Sequence, residues 1–267
     1  MEIVNLQQNT EEWLKNRKAI IGASEVSAIM DVSPWSTPYK VWLDKMSDEV
    51  SSDGSSWLFE KGHRLEDIAR AKLELITGYE LPPLVVKHPD LEYCQASLDG
   101  CDLDAKRQVE IKFMGKDAWQ ALKENKTIPE HYNLQVQYQL MATGFEYSYF
   151  CAINDNEEIT FTKVFPDADL IKDITLHTMN FYNNHMLKKV GPELSAKDIM
   201  QVKAEKLKNA LVSIRKVEEQ LKPLTEQKKA LRGEIEALMV HPRMEHDGIK
   251  ITLSVTKAGK KTLSVRF

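Results

Sequence analysis

Glu110 and Lys112 lie two positions apart in the stretch RQVEIKFMG, residues 107–115, interleaved with apolar Val109, Ile111 and Phe113. In a β-strand residues i and i+2 project to the same side, so the carboxylate and the amine share one face. An ordinary antiparallel strand with one solvated face has the same pattern. The same acid-x-Lys spacing also recurs at Asp104/Lys106, Glu124/Lys126 and Glu226/Lys228. The neighbourhood of residues 110 and 112 is what distinguishes them. Asp99 stands upstream in ASLDGCD, and adjacent antiparallel strands over 92–99 and 108–113 bring it across the ladder from Glu110. Two carboxylates in hydrogen-bonding reach repel each other unless a cation or a proton lies between them. A hard divalent cation such as Mg²⁺ suits that place, held by two acidic oxygens, a backbone carbonyl and several waters. Lys112 is then placed to orient or help deprotonate a metal-bound water, the chemistry of phosphodiester hydrolysis. A third carboxylate comes from EKGHRLEDIAR, where Glu66 lies opposite the apolar stripe of Leu65, Ile68, Ala69 and Leu73. Glu66 reads equally as half of an exposed i,i+4 ion pair with Arg70.

Helical and strand periods frame these residues. EEWLKNRKAIIGASEVSAIM opens with a helix and resumes one after Gly22; Thr37-Pro38 reads as cap and first residue of a helix over YKVWLDKM. A polar run over 47–56 predicts a loop, and the segment from Trp57 predicts a helix ended by Gly78. Short β-like runs follow around 82–113, then helices over KDAWQALKEN and PEHYNLQVQYQLMATG. Strands EYSYFCAI and EITFTKVF and a closing helix complete the pattern. This order predicts an α/β domain, residues 1–190, built on a mixed sheet flanked by helices. From residue 191 the composition shifts. Leu207, Ala210, Ile214, Val217, Leu221, Leu224, Leu231, Ile235 and Leu238 form a heptad seam with one gap at Lys228. Pro223 and Gly233 interrupt it, which predicts a kinked helix or two abutting helices over 191–240. Residues 241–267 read as a basic β-hairpin turning at Ala258-Gly259.

The 267 residues suffice for a substantial core, and no apolar run is long enough to span a bilayer. The N-terminus lacks the basic-then-apolar order of a secretion signal, so a cytoplasmic address is expected, that of the host cell if the gene is a phage's. Three cysteines, Cys94, Cys101 and Cys151, are odd in number and lack metal-ligand pairing, which predicts reduced thiols. A net charge of −4 neither advertises nor excludes nucleic acid, because a cleft that binds DNA through metal ions is itself acidic.

SLDG followed by VEIK, with a helical glutamate upstream, resembles the PD-(D/E)xK nuclease core. More narrowly the chain resembles the phage lambda exonuclease family, also called YqaJ-type viral recombinases. WLKNRKAIIGASEV, SPWSTPYKVWLDK, FEKGHRLEDIA and YNLQVQYQL extend the likeness over roughly residues 13–155. The proline of the motif's name is absent, since Leu98 precedes Asp99. The resemblance implies a restriction-endonuclease-like fold and a metal centre of Asp99, Glu110 and the Ile111 carbonyl, with Glu66 serving a second metal or bridging water. It makes Lys112 the catalytic lysine and Gln135 an active-site glutamine. Arg17 and Ser24, with Ser97 beside them, fall where the family binds the 5′-phosphate of a DNA end; an arginine's planar fork suits phosphate.

The activity implied is Mg²⁺-dependent, with Mn²⁺ as substitute, and 5′→3′ exonucleolytic on double-stranded DNA ends. A single-strand annealing protein is the implied partner and a homo-oligomer, the family's trimer, the implied assembly. The alternatives are a structure-specific or endonucleolytic relative and a non-catalytic protein that binds or bridges DNA ends. Outside this constellation, His63 and His131 read as structural hydrogen-bonders, and Tyr39 and Trp42 as core. Trp35, on a turn, is open to base stacking. The seam fits a partner, a second subunit or the nuclease body. Lys257, Lys260, Lys261 and Arg266 suit either a DNA backbone or a guarded sheet edge.

Overall fold

A computed structural model describes residues 1–47, 57–199, 204–255 and 261–266. The chain divides into two units, Met1–Ile199 and Met200–Phe267. The first opens with strand β1 (Glu2–Ile3), helix α1 (Glu11–Arg17) and strand β2 (Ile21–Gly22). A 3₁₀ turn over Ala23–Glu25 then leads into helix α2 (Val26–Ile29). Thr10 caps α1 by accepting the Trp13 N–H, and Glu11 and Glu12 favour its positive end. Helix α3 (Pro38–Met46) starts as its sequence predicts: the Thr37 hydroxyl accepts the Lys40 N–H, and Pro38 fills a position that needs no donor. Helix α4 (Trp57–Thr77) ends at Gly78, whose φ of 72° is the left-handed turn glycine adopts without strain.

Strands β3 (Leu84–Lys87), β4 (Cys94–Leu98), β5 (Gly100–Asp102) and β6 (Arg107–Phe113) follow, then helices α5 (Lys116–Asn125) and α6 (Glu130–Thr143). Strands β7 (Tyr147–Ile153) and β8 (Ile159–Val164) and helix α7 (Ala168–Phe181) complete the regular elements. Two four-stranded mixed sheets form, ordered β1-β3-β4-β2 and β5-β6-β7-β8. β6 is central in the second, antiparallel to β5 and parallel to β7. Strands β4 and β6 therefore belong to different sheets, which corrects the expected ladder between 92–99 and 108–113. Asp99 sits at the break where the chain leaves one sheet for the other. Gly100 is what permits the crossing: a Cβ there would lie 2.5 Å from the Leu81 carbonyl oxygen. The register Gly100↔Val109, continued by one residue, still sets Asp99 opposite Glu110.

Leu65, Ala69 and Leu73 of α4 are buried together with Val109, Ile111, Tyr149 and Cys151 of the second sheet. Ile76, near the end of the helix, is exposed. A larger core gathers residues of α2, α6, α7 and the first sheet, among them Ile21, Leu98, Leu134, Tyr138 and Ile174. Beyond residue 190 the chain stays tied to this unit. A 3₁₀ turn over Ala196–Asp198 accepts the Thr37 hydroxyl through Asp198, and Lys197 pairs with Asp31 at 3.3 Å.

In the second unit, helix α8 (Glu205–Leu238) runs through Pro223 without a break. A proline inside a helix removes one N–H and its hydrogen bond, and here the turns on either side continue. Strands β9 (Arg243–His246), β10 (Ile249–Val255) and β11 (Lys261–Arg266) form an antiparallel sheet ordered β11-β10-β9. The β10–β11 pairing matches the expected hairpin, while β9 is an addition. β9 meets β10 across Asp247-Gly248, both at positive φ, the dipeptide that two-residue hairpin turns favour. The expected loop over 47–56, apart from Ser47, lies outside the described residues, as do the Ala258-Gly259 turn, Lys257 and Lys260. No helix among the described residues is long and apolar enough to cross a membrane.

Candidate active site

One cleft of about 160 Å³ is lined by α1, the turn after β2, α4, the β4–β5 junction, β6 and α6. Arg17, Ser24, Glu66, Ser97, Asp99, Glu110, Lys112 and Gln135 all face it. Ile111 is turned into the core, and it is its N–H, rather than its carbonyl, that the structure joins to Asp99, at 2.7 Å from Oδ2.

Glu110 is no solvated strand residue, for its side chain is 1% exposed. A buried carboxylate has to be paired and hydrogen-bonded, and Glu110 is. Its Oε1 takes the Lys112 Nζ at 2.5 Å and the Gln135 amide at 2.6 Å, and its Oε2 takes the Gln139 amide at 2.5 Å. Gln135 and Gln139, one helical turn apart on α6, grip the two oxygens separately. Gln139 was missed by sequence reasoning, although its i+4 spacing from Gln135 in LQVQYQ was visible. Burial, and then the charges of Glu110 and Glu66, push the Asp99 carboxyl well above the usual carboxylate range. Burial would lower the Lys112 ammonium, but Glu110 and Asp99 outweigh it and hold the group above the ordinary lysine range. Glu66 lines the cleft and bonds Arg70 at 3.2 Å, a pair that is largely buried and not the exposed one its spacing suggested. Burial raises its carboxyl, with Arg70 and His63 working against that. Arg70 also reaches the Asp99 carbonyl, at 2.7 Å through Nε.

At the other end of the cleft, Arg17 lies against the Trp13 ring and donates to Ser24 Oγ at 3.3 Å and to Glu25 at 2.9 Å. Ser97 accepts the Trp13 indole N–H at 3.0 Å. Glu25 is a second residue that sequence reasoning missed, though it follows Ser24 directly. It bonds the Gly22 N–H at 2.8 Å and the buried Lys45 ammonium at 2.7 Å. Burial alone would raise the Glu25 carboxyl, but Lys45, Arg17 and the Gly22 N–H bring it down to about 2.

The donor set suits a hard divalent ion, since Asp99 and Glu110 repel each other across a cleft that offers oxygen ligands. The carboxylates are otherwise engaged here: among the described residues no three His, Cys, Asp or Glu side chains stand together closely enough to hold a metal. Cys94, Cys101 and Cys151 are buried free thiols, with burial raising each of them, and none lines the cleft.

A family model described as the YqaJ-like viral recombinase domain matches residues 12–146, a stretch that contains every cleft residue expected from the sequence. This chain belongs to that family. The YqaJ-like recombinases are a nuclease family, of a type that generally uses divalent metal. A relative, the uncharacterized protein YqaJ of Bacillus subtilis (strain 168), is 29% identical over 197 residues, covering 71% of this chain. The chain spans 60% of that relative's length. Among solved structures, an alkaline exonuclease from Laribacter hongkongensis superimposes with a TM-score of 0.58 at 22% identity, over 67% of this chain and 94% of that one. The same exonuclease in complex with dAMP gives 0.56 at the same identity and coverage. This YqaJ-like chain thus shares the mixed α/β fold of that alkaline exonuclease.

Proposed function

We propose that this chain is a Mg²⁺-dependent deoxyribonuclease that degrades one strand from double-stranded DNA ends in the 5′→3′ direction, with Mn²⁺ able to replace Mg²⁺. One observation carries the reading: a carboxylate pair with an ammonium and an arginine–serine group face each other in one cleft. Asp99 and Glu110, with the Ile111 carbonyl, would hold the ion, and Glu66 would serve a second ion or a bridging water. When bound, Mg²⁺ polarises the scissile phosphate and lowers the pKa of water.

The other steps fall to the chain's own residues. Glu110 and Asp99 hold the Lys112 ammonium above the ordinary lysine range, so in the resting cleft it is a hydrogen-bond donor, placed to engage a phosphate oxygen or to orient a water beside the ion. Gln135 and Gln139 fix both Glu110 oxygens and so aim that carboxylate. An arginine has five donors, so Arg17 can bond Glu25 and Ser24 and still engage a terminal 5′-phosphate. Ser24 and Ser97 add hydroxyls on either side. A phosphate held there draws the strand end toward Asp99 and Glu110. The Laribacter exonuclease holds dAMP, a mononucleotide, in its complex, which supports release of single nucleotides. The 3′-ended strand left behind is the substrate of a single-strand annealing protein.

A time course on 5′-labelled linear duplex with Mg²⁺ tests this. Labelled mononucleotide should appear from the first time point while closed circular DNA stays intact. Cleavage of the circle, or release of labelled oligonucleotides, would overturn the proposal.

A further inference from the structure

Helix α8 spans 34 residues, roughly 50 Å, and none of them is buried. Written as heptads, its a positions are Leu207, Ile214, Leu221, Lys228 and Ile235, and its d positions Ala210, Val217, Leu224, Leu231 and Leu238. Leu207, Ile214, Val217, Leu221, Leu224 and Leu231 are each 48–59% exposed, in one stripe. The two helix breakers avoid that stripe: Pro223 falls at c and Gly233 at f, both on the far side. Ile235 is half-buried, so the continuous exposed stretch of the seam runs from Leu207 to Leu231, with Leu238 exposed beyond it. An apolar stripe sustained over three and a half heptads is the pattern of a helix that lies against another helix.

We propose that two copies of this chain pair through α8 as an antiparallel coiled coil centred on Glu219. The register follows from Lys228. In a parallel pair, a positions face a positions, so Lys228 would meet its own copy in the seam, two like charges at close range. In an antiparallel pair a faces d. Centring on residue 219 sets Leu207 against Leu231, Ile214 against Leu224, and Leu221 against Val217, so each of the six large aliphatic residues from Leu207 to Leu231 finds an aliphatic partner. Lys228 then faces Ala210, the smallest side chain of the stripe, which leaves its long stem room to reach water. At the flanks Lys206 comes beside Glu234 of the other copy, a favourable pair; Glu218 meets its own copy at the centre, an unfavourable one in solvent. Covering both seams removes on the order of 1,000 Å² from water, the size at which specific interfaces begin.

Sedimentation of the full chain and of Ile214→Lys/Leu221→Lys/Leu224→Lys measures the pairing. The variant should have half the mass of the parent, whether the first unit is itself single or threefold. The outer-face control Glu219→Lys should leave the mass unchanged. An unchanged mass in the seam variant would overturn the proposal, and would point to another protein or to the first unit as what covers α8. Cysteine cross-linking reads the register and does not depend on a variant that might unfold. Ala210→Cys chains mixed with Lys228→Cys chains should form a disulfide-linked pair under mild oxidation, and neither variant should do so alone; the native cysteines are buried. Cross-linking of Ala210→Cys with itself would mean parallel pairing and sink the antiparallel register.

Discussion

At the scale of single residues, the Lys112 ammonium and the Glu25 carboxylate give the sharpest tests. Lys112→Ala removes the donor next to Glu110. Hydrolysis of linear duplex should fall by at least about 10³-fold, the scale of losing a positioned charge at a reacting phosphate. Duplex binding, measured by fluorescence anisotropy, should change only a few-fold, and turnover at the normal rate would take the lysine out of the mechanism. Glu25 is instead a positioning residue, holding Arg17 from behind. Burial works against it, but Lys45, Arg17 and the Gly22 N–H bring its carboxyl from the ordinary 4.5 down to about 2 in the folded chain. A depressed carboxyl contributes stability that is complete above about pH 4.5 and is lost as pH falls from there toward 2. Its share reaches roughly 3 kcal/mol at neutral pH. Glu25→Gln should therefore flatten that acid limb of the stability profile, read by denaturant titration at pH 3 and pH 6. It should also blunt the preference for 5′-phosphorylated over 5′-hydroxyl ends, because the Arg17 fork loses its anchor. A variant with an unaltered acid limb would show that the ion pair contributes no stability.

At the scale of elements, the break between β4 and β5 decides where Asp99 points. Gly100→Ala places a methyl against the Leu81 carbonyl, and overpacking of that kind costs about 1–3 kcal/mol. The variant should melt several degrees lower and lose hydrolysis out of proportion to its loss of fold, because Asp99 is the next residue. Equal activity per folded molecule would mean the junction adjusts without moving the carboxylate. The helix start at Thr37 and the helix end at Gly78 were legible, because a cap depends on a few adjacent residues. The β4–β6 ladder was misread: alternation marks a strand but does not say which strand is its neighbour. The Asp-Gly turn that creates β9 was legible in EHDGIK and was passed over.

At the scale of the whole molecule, every cleft residue lies in Met1–Ile199. A chain ending at Ile199 should release mononucleotides from duplex ends at a rate within a few-fold of the full chain. Loss of all activity would place part of the reaction in residues 200–267. Mg²⁺ provides a second test. Burial and then the charges of Glu110 and Glu66 raise Asp99; a cation bound there would offset the charge repulsion, so millimolar Mg²⁺ should raise the melting temperature of the parent chain by a few degrees. It should leave that of Asp99→Asn/Glu110→Gln unmoved. An equal shift in both would place the ion elsewhere.

The sequence by itself determined the residue types and their local periods: a carboxylate two positions from a lysine, a helical glutamate, an arginine and a serine around a glycine turn, and a heptad tail. Those are short-range facts, written within one turn or one strand. Only the tertiary structure decided that Glu110 is buried between two glutamine amides and the lysine, that Glu25 stands behind Arg17, and that a crossing between two sheets brings Asp99 up to β6. Such contacts join residues tens of positions apart. They are set by which faces pack together, and no spacing along the chain encodes that packing.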